Sequence, residues 1–412
     1  MSFKTVELRR IAAIVNGGTP TPSAENWGGG VPWATPVDLG RVNGGILGRT
    51  ERTLTAHGAA TGSTVVPAGS VLLSTRAPIG YTAIARSAVA FNQGCKALVP
   101  RVGVDSRFLR YAVQASEAEL VAAGRGSTFQ EVNGADVAAH CVSIAAAHEQ
   151  RQIADYLDHE TAEIDAFIAD LHALKAGLNE HRMAELAGLL SYPGDVFRPD
   201  SSTLTSLKRL GSITLGKMLD PARSTDDTRW PYLRAANVQP LGRLELADVK
   251  TMRFTPAERA CLDIKAGDVL IVEGGQGGYG RAAYVSADLP GTGFQNSIVR
   301  FRPAPTTDGR YVAYALQLLR HSGYIKTVAS VTSMPHFTAE KVAIAPVPRV
   351  TLERQREVAD ALDLRWAEID EAIDDIDAAI SLAKERRAAL ITAAVTGQID
   401  VTTKGSREHA DL

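Results

Sequence analysis

"EQRQIADYLDHETAEIDAFIADLHALKAGLNEHRMAEL" (149–186) contains no proline and is rich in Ala, Leu, Glu and Asp. It carries Leu157, Ile164, Leu171 and Leu178 at seven-residue intervals, with Ala154 and Ile168 in an offset column. A second stretch, "ERQREVADALDLRWAEIDEAIDDIDAAISLAKERRAALI" (353–391), places Leu362, Ile369, Ile376, Ala383 and Leu390 in one column. Ala359, Trp366, Ile373 and Ile380 form its offset column. Alternating three- and four-residue spacing is the pattern of a coiled-coil seam. At ~1.5 Å per residue each helix would be about 60 Å long. One such helix cannot bury its stripe alone, but two in one chain can pair with each other, and an antiparallel pairing is expected.

The two stretches are copies. A shift of 205 residues superimposes Gln150 on Gln355, Arg151 on Arg356, Asp155 on Asp360, Leu157 on Leu362 and Arg182 on Arg387. The run Ala162–Asp165 falls on Ala367–Asp370 without a gap. The segments before each copy repeat more weakly and in the same order. "VPWATPVDLG" (31–40) parallels "WPYLRAANVQPLG" (230–242), setting Asp38 against Asn237. "VPAGSVLLS" (66–74) parallels "IKAGDVLIV" (264–272), "AFNQG" (90–94) parallels "GFQNS" (293–297), and "RFLRYAVQA" (107–115) parallels "RYVAYALQL" (310–318). Short Val/Ile-rich runs between Gly/Pro/Asn turns, closed by a helix, predict an α+β domain in each case. The expected architecture is therefore an internal repeat with pseudo-twofold symmetry: a domain over 1–147, a helix over 148–190, a second domain over 191–350, a helix over 351–398 and a tail over 399–412, of which "TTKGSREHADL" (402–412) is expected to be disordered.

Charge follows the same division. The net of −2 over 412 residues conceals blocks of +4 (1–145), −6 (146–190), +6 (191–350) and −6 (351–412). Two mildly basic domains alternate with two acidic helices, whose outer faces suit either a docking surface for two identical partners or plain solvation. No apolar run approaches the ~18 residues of a membrane span, and "MSFKTVELRR" has no apolar core of the signal-peptide kind. Three cysteines, Cys95, Cys141 and Cys261, are far apart with no C-x-x-C pair, so buried free thiols in a reducing cytoplasm are expected rather than disulfides or zinc.

Two motifs suggest nucleotide chemistry and fail on context. In "VEGGQGGYGRAAYV" (272–285), Gly275, Gly277 and Gly280 satisfy G-x-G-x-x-G, but that fingerprint needs a strand before and a helix after. The following "RAAYVSADLPGTG" has no helical period, and a turn between two strands fits better. Its counterpart "STRAPIGYT" (74–82), with Gly80–Tyr81 set against Gly278–Tyr279, turns on a proline instead. "GSITLGKM" (211–218) lacks the hydroxyl residue after its lysine that would hold magnesium. There is no H-E-x-x-H and no G-x-S-x-G, and the nine histidines have no ligand spacing, so neither catalysis nor a metal site is expected.

The basic domains carry Arg, Gln, Asn, Ser and Thr in turn contexts, the side chains that read base edges and grip phosphates. Arg76, Arg125 and Arg281 are the leading candidates for base or phosphate contact, joined by Arg234, Tyr81 and Tyr279. Gln93, Gln130, Gln276 and Asn296 have the chemistry to pair with adenine edges. Ser127, Thr128, Ser330, Thr332 and Ser333 suit backbone phosphates. An ordinary polar turn is the competing reading for each. For Asn92 and Gln93, beside an apolar strand, local backbone hydrogen bonding is the stronger one.

Two variable units, each followed by a near-identical long helix, resemble the specificity (S) subunit of type I restriction–modification systems. The matching motifs are "ERQREVADALD…EIDEAI", "HEQRQIADYLD…EIDAFI", "VPWATPVDL" and the terminal "RRAALITAAVTGQIDV". The resemblance covers essentially the whole chain. It implies a non-enzymatic subunit whose two target recognition domains each read one half of a bipartite site in double-stranded DNA. The paired helices would space the halves and dock two methyltransferase (M) subunits, with restriction (R) subunits joining. S-adenosylmethionine is then expected on M, ATP and Mg on R, and no cofactor on this chain. Two rival readings stand beside it: a specificity subunit of a methyltransferase-only or fused system, and a coiled-coil protein-binding adaptor.

Overall fold

The computed structural model describes residues 3–76, 78–125, 130–190, 203–219, 228–275, 277–329 and 335–401. The chain forms two compact units, Met1–His172 with Asp377–Leu412, and Ala173–Ile376. Both mix helix and sheet, an α+β fold.

In the first unit, Val71–Thr75 is apolar enough to be buried on both faces and forms the middle of a five-stranded sheet. It pairs antiparallel with Ile79–Ala85 and with Cys95–Pro100, which in turn pairs antiparallel with Ala12–Asn16. A smaller sheet runs Arg52–Leu54, Trp27–Ala34, Val89–Phe91, Val65–Val66. One of its pairings is parallel, with Trp33 opposite Ala90. The helix Ser106–Ala115 is started by Asp105, whose side chain accepts from the Arg107 and Phe108 amides, the usual service of an N-cap carboxylate. Its Phe108, Leu109, Tyr111, Ala112 and Val113 are buried in the core with Val71, Leu73 and Leu98.

The second unit passes through the same pairings. Val269–Val272 lies between Ala282–Tyr284 and Ile298–Pro303, with Gly211–Leu215 outermost. Thr228–Leu233 pairs parallel with Gly293–Phe294. Asp308 caps Gly309–His321 as Asp105 caps its own helix. Asp38 and Asn237, set against each other in sequence, are both buried and do the same job. Asp38 Oδ2 accepts from the Thr35 amide at 3.0 Å, and Asn237 Oδ1 from the Arg234 amide at 2.9 Å.

The strand register corrects one alignment. Leu73 faces Thr82 and Ile271 faces Ala282, so Gly80–Tyr81 corresponds to Gly280–Arg281, not to Gly278–Tyr279. The second turn is two residues longer, and such an insertion in a surface turn leaves the ladder intact. Its Gly275, Gly277 and Gly280 all have positive φ, the conformation glycine adopts without penalty. A strand follows, so the dinucleotide fingerprint is a hairpin turn. The phosphate-loop motif is strand Gly211–Leu215. Its Lys217 is buried and ion-paired with Glu258 under the Phe254 ring.

The first long helix is Ala147–Leu190 and the second Leu352–Val395. Each compact unit contains part of both. In the first unit Asp165 pairs with Arg387. In the second, Arg182 reaches Asp370 and Arg365 reaches Glu185. Across the latter pairs, residue numbers rise on one helix as they fall on the other.

Not every residue of the apolar columns faces the other helix. Leu157 belongs to the core of the first unit, with Phe108 and Tyr111. Leu362 and Trp366 belong to that of the second, Trp366 lying edge-on to Tyr314 at 5.0 Å between ring centroids. Those columns serve the globular units because the short helices pack across them. Ile164, Ile369, Ile376 and Ile380 are buried, while Leu171, Leu178 and Ile373 are half-buried.

Past the second long helix the chain stays packed as far as residue 401. Val401 is buried and Ile399 half-buried against the first unit's core, beside Phe3 and Ile153. Residues 402–412 lie outside the described residues. Among the described residues no helix is long and apolar enough to cross a membrane.

Candidate nucleic-acid interface

Where strand Val71–Thr75 ends, the first unit gathers three of the candidates. Arg76 and Arg125 each form a β-bridge with Glu131, and Val132 N–H donates to Thr75 O at 3.0 Å. The Arg76 guanidinium lies 4.0 Å from the Glu131 carboxylate, and that of Arg125 3.7 Å from Asp136. Their side chains are 44% and 79% exposed, so each of these pairs contributes only about 0–1 kcal/mol. Gln130 is exposed on the same loop; Ser127 and Thr128 lie outside the described residues. Tyr81 is half-buried on the neighbouring strand, its ring against Gly40. Gln93 is apart from this group, bound by the Thr19 hydroxyl.

The second unit builds the corresponding place differently. Gly274 bridges His336, and Phe337 N–H donates to Glu273 O at 2.7 Å. Burial pushes the Glu273 carboxyl above its ordinary range. Tyr279 and Arg281 are half-buried on the glycine turn. Asn296 is held through its backbone N–H to Lys217 O. Arg234 is engaged in structure: its amide binds Asn237 and its guanidinium Asp248. Gln276, Ser330, Thr332 and Ser333 lie outside the described residues. No group of three or more His, Cys, Asp or Glu is placed to hold a metal among the described residues.

A second group, missed by the sequence reading, fixes each unit to a long helix. Gln150 Oε1 accepts from the Asp105 amide at 2.9 Å while Nε2 donates to Ala145 O at 2.9 Å. Gln355 repeats this with the Asp308 amide at 2.8 Å and Val350 O at 3.1 Å. Arg107 binds Asp155 and Asp158, and Arg310 binds Asp360 and Asp363. Tyr111 donates to Asp158 at 2.8 Å, and Tyr314 to Asp363. Burial works against the charge of Arg310, and Asp308, Asp360 and Asp363 more than restore it. Burial likewise pushes both phenols up. The sequence held the signal: Arg107 and Tyr111 match Arg310 and Tyr314, just as Asp155 matches Asp360.

The chain is similar to several known proteins. Residues 2–171 match the family model described as type I restriction modification DNA specificity domain. Over 157 residues the chain is 34% identical to the type I restriction enzyme MjaIX specificity subunit of Methanocaldococcus jannaschii, a match spanning 37% of this chain and 36% of that relative. The fold is shared along the whole length with a solved chain reported under "complex assembly and conformational transition of the type I R-M system". That likeness has a TM-score of 0.67 at 15% identity and covers 97% of this chain and 98% of the other. Residues 2–171 thus match the type I DNA specificity family, and the resemblance of the chain to type I specificity subunits is upheld.

Proposed function

We propose that this chain is the non-catalytic specificity subunit of a type I restriction–modification complex. Each unit is a target recognition domain reading one half of a bipartite site in double-stranded DNA. The two helices pair as an antiparallel coiled coil that spaces the halves and docks two methyltransferase subunits, and restriction subunits complete the complex. S-adenosylmethionine then resides on the methyltransferase, with ATP and Mg on the restriction subunit. The observation carrying this reading is the duplicated attachment: Gln150, Arg107 and Tyr111 hold one unit to its helix as Gln355, Arg310 and Tyr314 hold the other. Two reading units fixed identically to stiff helices address two DNA elements at a constant separation.

The exposed Arg76 and Arg125 in the first unit and the half-buried Arg281 in the second are the proposed phosphate and base contacts. Phosphate contacts position a protein on DNA, and base-edge contacts specify the sequence.

The decisive experiment maps methylated adenines genome-wide in cells with and without the gene. Loss of methylation at one split motif of constant gap supports the proposal; an unchanged methylome in cells whose methyltransferase is active refutes it. Exchanging residues 1–145 for another recognition domain is expected to change one half-site only. Ile369→Asp with Ile376→Asp, which charges the buried seam, is expected to abolish co-purification of the methyltransferase.

A further inference from the structure

In the second unit an open cavity of about 450 Å³ lies between helix Gly309–His321, the loop at Gln239–Gly242, the glycine turn and the first long helix. Two guanidiniums line it, those of Arg281 and Arg320. Arg281 makes no side-chain hydrogen bond or ion pair with any described residue, and its Nε is buried without a partner. Arg320 donates to Gly277 O at 3.0 Å and Tyr279 O at 3.3 Å, which binds the turn but neutralises no charge. Glu180 is the one carboxylate among the lining residues, and it pairs with neither arginine. The cations are close enough that Arg320, held down first by burial, is held down further by Arg281. Gln317 adds a buried amide oxygen without a partner. Turned over, as an amide can be at equal shape, it presents N–H donors to the same space.

Two like charges around one cavity repel unless an anion lies between them. A tetrahedral oxyanion matches the planar fork of arginine. We propose that Arg281 and Arg320 form a phosphate-binding site in the second unit and, resting on the DNA-reading function proposed above, that a backbone phosphate of the duplex occupies it. Among the described residues the first unit lacks this pair of arginines. The strand register puts Tyr81 where Arg281 stands, and the match of Arg107 to Arg310 puts Glu117 where Arg320 stands. The two units therefore grip DNA unequally.

The test uses the full chain, with its methyltransferase partner where the complex is the binding form. Anisotropy of a labelled duplex is measured across a salt series. Arg281→Ala removes a side chain that has no hydrogen-bond or ion-pair partner among the described residues, and the fold is expected to be retained. It is expected to lower the slope of log K against log salt by about 0.9, the value for one phosphate contact, and Arg281→Lys to keep most of that slope. In parallel, thermal melting is followed with inorganic phosphate as the probe. If the slope is unchanged but phosphate stabilises the wild type and not Arg281→Ala, the site stands and its occupant is free phosphate. If neither readout responds to Arg281→Ala, the site is refuted. A wild-type complex that binds no DNA would overturn the DNA-reading function instead, and the melting arm would still report on the site.

Discussion

Gln150→Leu and Gln355→Leu are nearly isosteric replacements that remove an amide from two buried positions. At residue 355 the change strips the Asp308 N–H of its acceptor and Val350 O of its donor. At residue 150 it does the same to the Asp105 N–H and Ala145 O. An orphaned group costs about 1–3 kcal/mol where it is buried and less at Val350, which is exposed, and leucine recovers part of this by burying apolar surface. A net local loss of about 2–3 kcal/mol per site follows, with the Gln150 variant at the upper end, because its Nε2 also reaches Gly103 O at 3.4 Å. Asp105 and Asp308 are the caps of the short helices, so the loss falls on the first turn of each. Hydrogen exchange followed by mass spectrometry reads it directly. At 1.4 kcal/mol per tenfold, peptides covering 103–110 and 306–313 are expected to exchange about 30- to 150-fold faster, each in its own variant. Exchange within threefold of wild type at both sites would refute the claim that these glutamines hold the units to their helices.

Arg182→Leu removes a buried guanidinium that binds Asp370 and lies over the Trp366 ring. It is expected to cost about 1.5–3 kcal/mol in denaturant unfolding. Arg387→Leu breaks a more exposed pair and is expected to cost ~1 kcal/mol or less. Trp366→Ala empties a core site beside Tyr314 and is expected to destabilise the second unit by about 3–5 kcal/mol, read as a lowered thermal midpoint. Burial works to raise the Asp263 carboxyl, but Lys265 and Arg302 more than offset it, so its folded pKa lies below the ordinary one. Its contribution is therefore present above the unfolded carboxylate value of about 4 and fades as pH falls through the folded one. Asp263→Asn is expected to flatten the acid limb of a stability–pH curve; an unchanged limb contradicts the assignment.

The long helices were legible because a duplicated heptad column is a strong, local signal. Leu157 and Trp366 obey that column yet pack into the globular cores, since periodicity marks an apolar face without naming what covers it. The short helix that covers Leu157 lies some fifty residues earlier in the chain, and nothing in the heptads announces it. The two-residue offset in the turn was invisible for a related reason: Gly80 and Gly278 look alike as letters, and only strand pairing shows that Gly280 is the partner. Arg76 and Arg125 were singled out separately, and it is Glu131 that brings them together. Arg234 was selected for its charge, but Asp248, fourteen residues on, occupies it. Arg320 was passed over because it sits in an apolar helix, where its reach to the turn carbonyls leaves no trace in the sequence.

The shift of 205 residues carries Asp165 onto Asp370 and Arg182 onto Arg387, so Asp165–Arg387 and Arg182–Asp370 are one contact written twice. Each half of the chain holds both the donor and the acceptor of that contact, which is the condition for an isologous joint. A change at Arg182 leaves Arg387 and Asp165 untouched, so the two versions can drift one at a time. They have begun to: Arg182 is sealed under Trp366, where the first half has Thr161. A self-complementary contact carried twice in one chain is two independently heritable contacts.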